Sequence, residues 1–188
     1  MISRRTFIQT AAAGTFIPQF AQAQSAPFVL PEQFIPQYVR VKDEFEPGQI
    51  IVQPRSHFLY WIEDKNKAIR YGVGVGKAGL EFTGVATIDV KKEWPTWRPT
   101  DEIIERSPKL YGKYKGNLDA MEGGPRNPLG ARALYLFQNG RDTYFRIHGT
   151  TQPSSIGQSV SNGCIRMINS HVTHLYERAP IGTKVTVV

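Results

Sequence analysis

The sequence predicts a mostly β fold, a sandwich or partly closed barrel of mixed sheets with one or two short helices. Three observations predict it. From Gln49 onward the chain runs in short stretches of β-branched and aromatic residues, each closed by a polar turn. The dipeptide Asn139-Gly140, suited to a type I′ turn because both central residues need positive φ, stands between two such stretches. Helical patterning is confined to two short segments.

In chain order, the first 23 residues are set apart from the fold. Ser3-Arg4-Arg5-Thr6-Phe7-Ile8 has twin-arginine form, an uncharged apolar run follows to Phe20, and Ala21-Gln22-Ala23 has the small-x-small form of a cleavage site. This reads as a signal peptide over residues 1–23 and export to the periplasm. The twin-arginine route is the first expectation; the ordinary secretory route also accepts two arginines. Gln9, Thr10, Gly14 and Pro18 interrupt the apolar run, so it is too short and weak to span a bilayer, and no transmembrane segment is expected in the mature chain. Residues 24–46, with Pro27, Pro31 and Pro36, read as a linker or a surface strap. Residues 47–188 form one domain, long enough to bury a core.

Within that domain strands are expected over residues 50–52, 58–62, 68–75, 85–90, 133–138, 143–148 and 183–188, with Arg141 and Asp142 lengthening the turn at Asn139-Gly140. Thr100 can cap a helix over residues 101–106, which carries two acids in its first turn and meets Pro108. A second helix is expected over 170–178, capped by Asn169 or Ser170 and stopped near Pro180. The Gly- and Pro-rich stretch 108–129 reads as a long loop, and such loops often serve as lids.

The chain has 23 Lys and Arg against 16 Asp and Glu, a net charge of +7 with two positive charges in the leader. A moderate basic excess suits an anionic surface or polymer. Nucleic acid is disfavoured as that partner, because export removes the chain from it and no nucleic-acid-binding motif is present. Cys164 is the one cysteine. It cannot form an internal disulfide, so it is buried and inert, paired with another molecule, or a working nucleophile.

Ile147-His148-Gly149-Thr150 places a histidine at the end of a strand, where the next loop opens. Ser161-Asn162-Gly163-Cys164-Ile165-Arg166-Met167 places the cysteine sixteen residues on, in a turn before the last helix. The chain between them, with Pro153 and Gly157, can fold back and let imidazole and thiol meet. A thiol needs such a base, because the thiolate is the nucleophile and a free thiol is mostly protonated at neutral pH. Gly163 lets a carbonyl approach the backbone, and the Gly163 and Cys164 amides are natural oxyanion donors. A buried structural cysteine fits the same residues.

The run His148-Gly149-Thr150, Pro153, Ser155-Ile156-Gly157, then Ser161, Gly163-Cys164-Ile165-Arg166-Met167 and Asn169, resembles the active-site motif of the L,D-transpeptidase family, the YkuD domain. Ala68-Ile69-Arg70-Tyr71 with Gly72-Val73-Gly74-Val75-Gly76-Lys77, then Glu93-Trp94-Pro95 with Trp97 and Pro99, and Asn127-Pro128-Leu129-Gly130-Ala131-Arg132-Ala133-Leu134 are similar to it too. Many members have a histidine where this chain has Asn162. The resemblance spans about residues 47–188 and implies a catalytic domain that forms 3→3 cross-links between peptidoglycan peptide stems, with no cofactor and no metal.

Under that resemblance Cys164 is the nucleophile, forming a thioester with a tetrapeptide stem, and His148 is its general base and acid. The Gly149 carbonyl orients His148, and Gly163 supplies an oxyanion amide. Arg166, Asn162, Ser161 and Thr150 bind substrate, Arg166 through a stem carboxylate. The same chemistry with another acceptor would anchor or release a cell-wall lipoprotein or act as an L,D-carboxypeptidase; a non-catalytic wall-binding domain is the rival of another class. Other residues carry weaker expectations. His171 and His174 read as solvated positions of the last helix, His57 as a strand residue without a role, and Trp94 and Trp97 as packing or groove residues. Tyr111 and Tyr114 lie in the long loop, and Asn127–Gly130 reads as a structural turn.

Overall fold

A computed structural model of the protein describes residues 28–188; the expected leader over 1–23 lies outside the described residues. The strands are β1 (Gln37–Arg40), β2 (Ile50–Gln53), β3 (Phe58–Asp64), β4 (Lys67–Gly72), β5 (Val75–Gly76), β6 (Gly84–Glu93), β7 (Arg132–Gln138), β8 (Arg141–His148), β9 (Ser159–Ser161), β10 (Ile165–Arg166) and β11 (Lys184–Val187). The α-helices are α1 (Asp101–Arg106), α2 (Pro108–Tyr111) and α3 (Asn169–Arg178). Nine strands join in the order β1-β4-β3-β2-β11-β6-β7-β8-β10, and β5 pairs with β9 apart from them. β11 runs parallel to β2, and β10 parallel to β8, while the other neighbours in the large sheet are antiparallel. The fold is mostly β with mixed pairing, as the patterning predicts.

Alternation of side chains along each strand decides which face is buried. In β2, Ile50 and Val52 enter the main core, while Ile51 faces the other way and joins Ile62 and Ala68. The main core gathers Leu59, Tyr71, Ile88, Leu134, Leu136, Ile147 and Val185, with Val172 and Leu175 from α3 closing over them. Each such fully buried aliphatic side chain contributes about 1.5–3 kcal/mol. Val39, Val41 and Phe45 cover the smaller cluster. The segment expected as a linker or strap therefore supplies an edge strand and an apolar cover, which its Pro- and Gln-rich composition conceals.

The hairpin turn holds two residues, Asn139 at φ 51° and Gly140 at φ 72°. Arg141 and Asp142 belong to β8 and do not lengthen it. The irregularity falls deeper in the strand, where Thr143, Tyr144 and Phe145 oppose the single Leu136. α1 forms where predicted, and Thr100 Oγ1 accepts from the Ile103 amide at 3.4 Å. α3 starts at Asn169 without a side-chain cap. Asn169 Oδ1 instead accepts from the Ala131 amide at 3.1 Å and the Thr150 amide at 3.2 Å, tying the helix start to the loop beyond β8.

The stretch 108–129 is more ordered than the expected loop, since it holds α2 and a 3₁₀ turn at Gly112–Tyr114. Its base is latched by Asn127, which is 1% exposed. The Asn127 amide group donates to the Pro95, Met121 and Glu122 carbonyls at 3.0, 3.1 and 3.1 Å, and Oδ1 accepts from the Leu129 amide at 2.9 Å. Asn127→Ala strands these buried groups, so we expect a loss of about 1–3 kcal/mol, read as a lowered Tm in thermal denaturation.

Candidate active site

The parallel pairing of β8 and β10 sets Ile165 beside Ile147 and Arg166 beside His148. Ile147 and Ile165 point into the core, 0% and 5% exposed. Alternation then places Arg146, His148, Cys164 and Arg166 on the opposite face. Cys164 immediately precedes β10 and stands at the level of Arg146, one pleat from His148. Strand spacing and rise put the two Cα atoms roughly 8 Å apart, within reach of a thiol and an imidazole. Cys164 and His148 thus sit diagonally on neighbouring strands.

Glycine packing holds the turn that carries Cys164 from behind. The Gly74 amide donates to the Arg166 carbonyl at 2.9 Å and the Arg166 amide to the Gly74 carbonyl at 2.7 Å, while the Lys77 amide donates to the Ser161 carbonyl at 3.0 Å. Gly163 sits at φ +124°, and a Cβ there would strike the Leu80 carbonyl and the Phe145 ring. Only glycine fits both the backbone angle and the space.

Three expected contacts take other forms. Ser161, 1% exposed, donates to the Cys164 carbonyl at 2.6 Å and accepts from the Gly163 amide at 3.0 Å. Its hydroxyl shapes the turn and is not open to a substrate. The Gly163 amide is thereby engaged, whereas the Cys164 amide makes no hydrogen bond among the described residues and is the donor left for an oxyanion. Thr150 is buried, and its hydroxyl accepts from the Gln152 amide at 3.0 Å, closing its own turn. Asn162 is exposed at the tip of the turn that carries Cys164. Arg166 is half-buried, donates to Gln152 Oε1 at 3.2 Å and forms no ion pair among the described residues.

His148 is 5% exposed, and its Nδ1 lies 2.5 Å from the Gly149 carbonyl. A carbonyl only accepts, so Nδ1 carries the hydrogen and Nε2 keeps a free lone pair. Gly149 is itself pinned, its amide donating to the Arg132 carbonyl at 3.0 Å, and a Cβ there would collide with Asn169 Oδ1. Burial pulls the His148 pKa down to about 4, with the Arg166 and Arg146 charges adding to the effect and the Gly149 and Leu129 carbonyls opposing it. Burial pushes the Cys164 thiol up, partly countered by the Arg146 backbone amide and the Arg146 and Arg166 guanidiniums. At neutral pH the resting pair is a neutral imidazole beside a neutral thiol. A thiol in that state must give up its proton to a base in order to react as a thiolate.

The remaining expectations sort by packing. Trp97 is half-buried, with its ring 5.3 Å from Tyr111 and 6.4 Å from Tyr114, and its backbone pairs with Met121. Tyr111 lies within electrostatic range of Arg166. Trp94 is 44% exposed. His171 and His174 are only partly exposed, since both rings pack on buried Tyr71, whose hydroxyl lies 2.7 Å from His174 Nδ1. His57 sits at φ 59° before β3, with Nε2 3.0 Å from Ser159 Oγ. Arg146 and Asp142, which bear electrostatically on the thiol, carry no site role in the sequence analysis, where Asp142 figures only as a turn residue. The signal available was the i−2 position of Arg146 relative to His148, which puts both on one strand face. Among the described residues no cluster of three or more His, Cys, Asp or Glu side chains is placed to hold a metal ion, and no helix is long and apolar enough to cross a membrane.

The mixed sheet carries a histidine on β8 and a cysteine just before β10, on neighbouring strands of one edge. Residues 47–187 match the model of the YkuD family, the L,D-transpeptidase catalytic domain, and the chain belongs to that family. It is 34% identical over 157 residues to ErfK/SrfK of Escherichia coli (strain K12), named as a probable L,D-transpeptidase, a match covering 82% of this chain and 48% of that protein. It is 37% identical over 145 residues to YqjB of Bacillus subtilis (strain 168), which bears the same family name, covering 75% and 72% of the two chains. The chain thus spans about half the length of ErfK/SrfK. A crystal structure from Brucella melitensis superposes with a TM-score of 0.57 at 54% identity, over 85% of this chain and 96% of that one. That protein carries the name probable carnitine operon oxidoreductase. The mixed sheet described above lacks the βαβ crevice in which dinucleotide-dependent oxidoreductases of the doubly wound class hold their cofactor.

Proposed function

We propose that this protein is a peptidoglycan L,D-transpeptidase that forms 3→3 cross-links through a Cys164 thioester. The observation that carries the reading is the diagonal placement of Cys164 and His148 on one face of β8 and β10, with Nδ1 of the imidazole tied to the Gly149 carbonyl. The Cys164 Sγ attacks the carbonyl carbon between the L-centre of diaminopimelate and the terminal D-Ala of a tetrapeptide stem. Its proton passes to His148 Nε2, and the oxyanion is met by the Cys164 amide. As the tetrahedral species collapses, the C–N bond breaks and His148 returns the proton to the departing D-Ala amine. The side-chain amine of a second stem's diaminopimelate then attacks the thioester, its proton moves through His148 to the thiol, and a new amide remains. Arg166, half-buried and without an acidic partner among the described residues, holds a stem carboxylate. Its guanidinium suits that task bidentately. The leader at residues 1–23 directs the chain to the periplasm, where such stems occur.

Incubation with purified tetrapeptide muropeptide, followed by mass spectrometry, tests this directly. Dimers lacking one D-Ala are expected. Tripeptide monomers alone would mean that water resolves the thioester, an L,D-carboxypeptidase, and modification only of an added lipoprotein lysine would mean an anchoring enzyme. The rate should stay level as pH falls below 6.5 and drop only as it approaches about 4, because neutral His148 is the working base above its lowered pKa. An acid limb near the ordinary histidine value would contradict the buried, neutral base.

A further inference from the structure

The bulge in β8 is organised by one carboxylate. Asp142 Oδ1 and Oδ2 accept from Arg146 Nη1 and Nη2, both at 2.7 Å, and Oδ1 also accepts from the Tyr144 amide at 2.8 Å. Arg146 Nη1 donates further to the Phe145 carbonyl at 2.9 Å, and the guanidinium lies 4.1 Å over the Tyr135 ring. The Arg146 side chain is 13% exposed and that of Asp142 33%. Thr143 Oγ1 completes the knot, donating to the Leu136 carbonyl at 2.6 Å and accepting from the Phe145 amide at 3.2 Å.

What this knot holds is unusual. Tyr144 sits at φ 61°, a left-handed angle that costs a bulky residue about 1–3 kcal/mol and persists only where its surroundings impose it. In that conformation the Tyr144 carbonyl lies 3.8 Å from Cys164 Sγ, in position to accept from the thiol. The backbone amide of Arg146 also bears on the sulfur. An exposed surface ion pair would earn little attention. This one is bidentate, stacked, largely buried and continuous through the backbone with both groups that touch the thiol.

We propose that Asp142 and Arg146 form a positioning pair for the nucleophile, with Asp142 fixing the guanidinium and the Tyr144 backbone in the one arrangement that seats the Cys164 sulfur. The inference rests on the reading of Cys164 as nucleophile. Arg146 and Asp142 from β8, Tyr135 from β7 and Arg166 from β10 are the charged and titratable groups that bear on the sulfur, with His148 one pleat along β8. Arg146 and Arg166 favour the thiolate there, and Asp142 opposes it.

That opposition separates positioning from charge alone. If Asp142 acted only through its charge, Asp142→Ala would lower the thiol's titration midpoint and quicken its reactions. If it acts by positioning, the same change releases the Arg146 guanidinium and backbone amide that favour the thiolate, and the midpoint rises. Arg146→Lys keeps the charge and loses the fork, so charge alone predicts no change and positioning predicts a rise.

The measurement is alkylation of the single thiol by iodoacetamide as a function of pH, followed by intact mass on the full chain, with Cys164→Ala as the unlabelled control. We expect both variants to shift the midpoint up by about one pH unit, which slows labelling about tenfold at neutral pH. A folded variant whose profile superimposes on wild type, or an Asp142→Ala profile shifted downward, overturns the proposal. Should Asp142→Ala fail to fold by circular dichroism, Arg146→Lys decides alone on the same criterion. A wild type that alkylates normally yet accepts no acyl donor would sink the nucleophile reading instead, and the two failures are distinguishable on one sample.

Discussion

Replacing Cys164 by alanine is expected to abolish turnover of tetrapeptide stems while leaving the fold intact. No other thiol exists in the chain to take its place. The sulfur is half-buried, and it meets only the Tyr144 carbonyl, a weak approach at 3.8 Å, and the backbone amide of Arg146. The turn around it is held by other atoms. Ser161 bridges the Cys164 carbonyl and the Gly163 amide, and Gly74 binds Arg166 on both sides of its backbone. Truncating one sulfur should therefore change stability by less than about 1 kcal/mol. Activity measured by muropeptide mass spectrometry should vanish while the thermal transition stays close to wild type. A large drop in Tm would show the thiol to be a packing residue.

His148→Gln carries the second large effect. Loss of the base should slow acylation by about 10²–10⁴-fold, the usual range for a positioned general base. The size follows from the resting state, in which burial holds the thiol above its ordinary pKa and keeps it protonated at neutral pH. Without an imidazole to take that proton, attack must wait for solvent to remove it. The deficit should then shrink as pH rises through the thiol's own titration, since thiolate forms without help. A pH series of single-turnover acylation for both proteins checks this. A deficit that is constant with pH would point to a structural role for the imidazole, which is buried and bonded to the Gly149 carbonyl.

Much of this was legible in the sequence where the cause is local. The Thr100 cap, the two acids after it and the Asn139-Gly140 turn are decided by neighbours in the chain, and α1 and the β7–β8 hairpin stand where those signals put them. The histidine and cysteine were found by motif. What escaped was set by partners distant in sequence. Asn169 looked like a helix cap, yet its Oδ1 serves the backbone of Ala131 and Thr150, 38 and 19 residues away. His171 and His174 looked solvated because their partner, Tyr71, lies about a hundred residues upstream. Ser161 and Thr150 have hydroxyls suited to substrate, and their own turns claim them first. The Asp142–Arg146 fork depends on a bulge and on the register of β8 against β10. Neither is written in composition or spacing.

One measurement bears most directly on the assignment of the nucleophile. The intact mass of the protein is recorded after exposure to a carbapenem, a β-lactam that acylates enzymes of this family, for wild type and for Cys164→Ala. A single adduct on wild type, mapped to the peptide containing Cys164 and missing from the alanine variant, is the expected result. An unmodified wild type, or an equal adduct on both proteins, would contradict it.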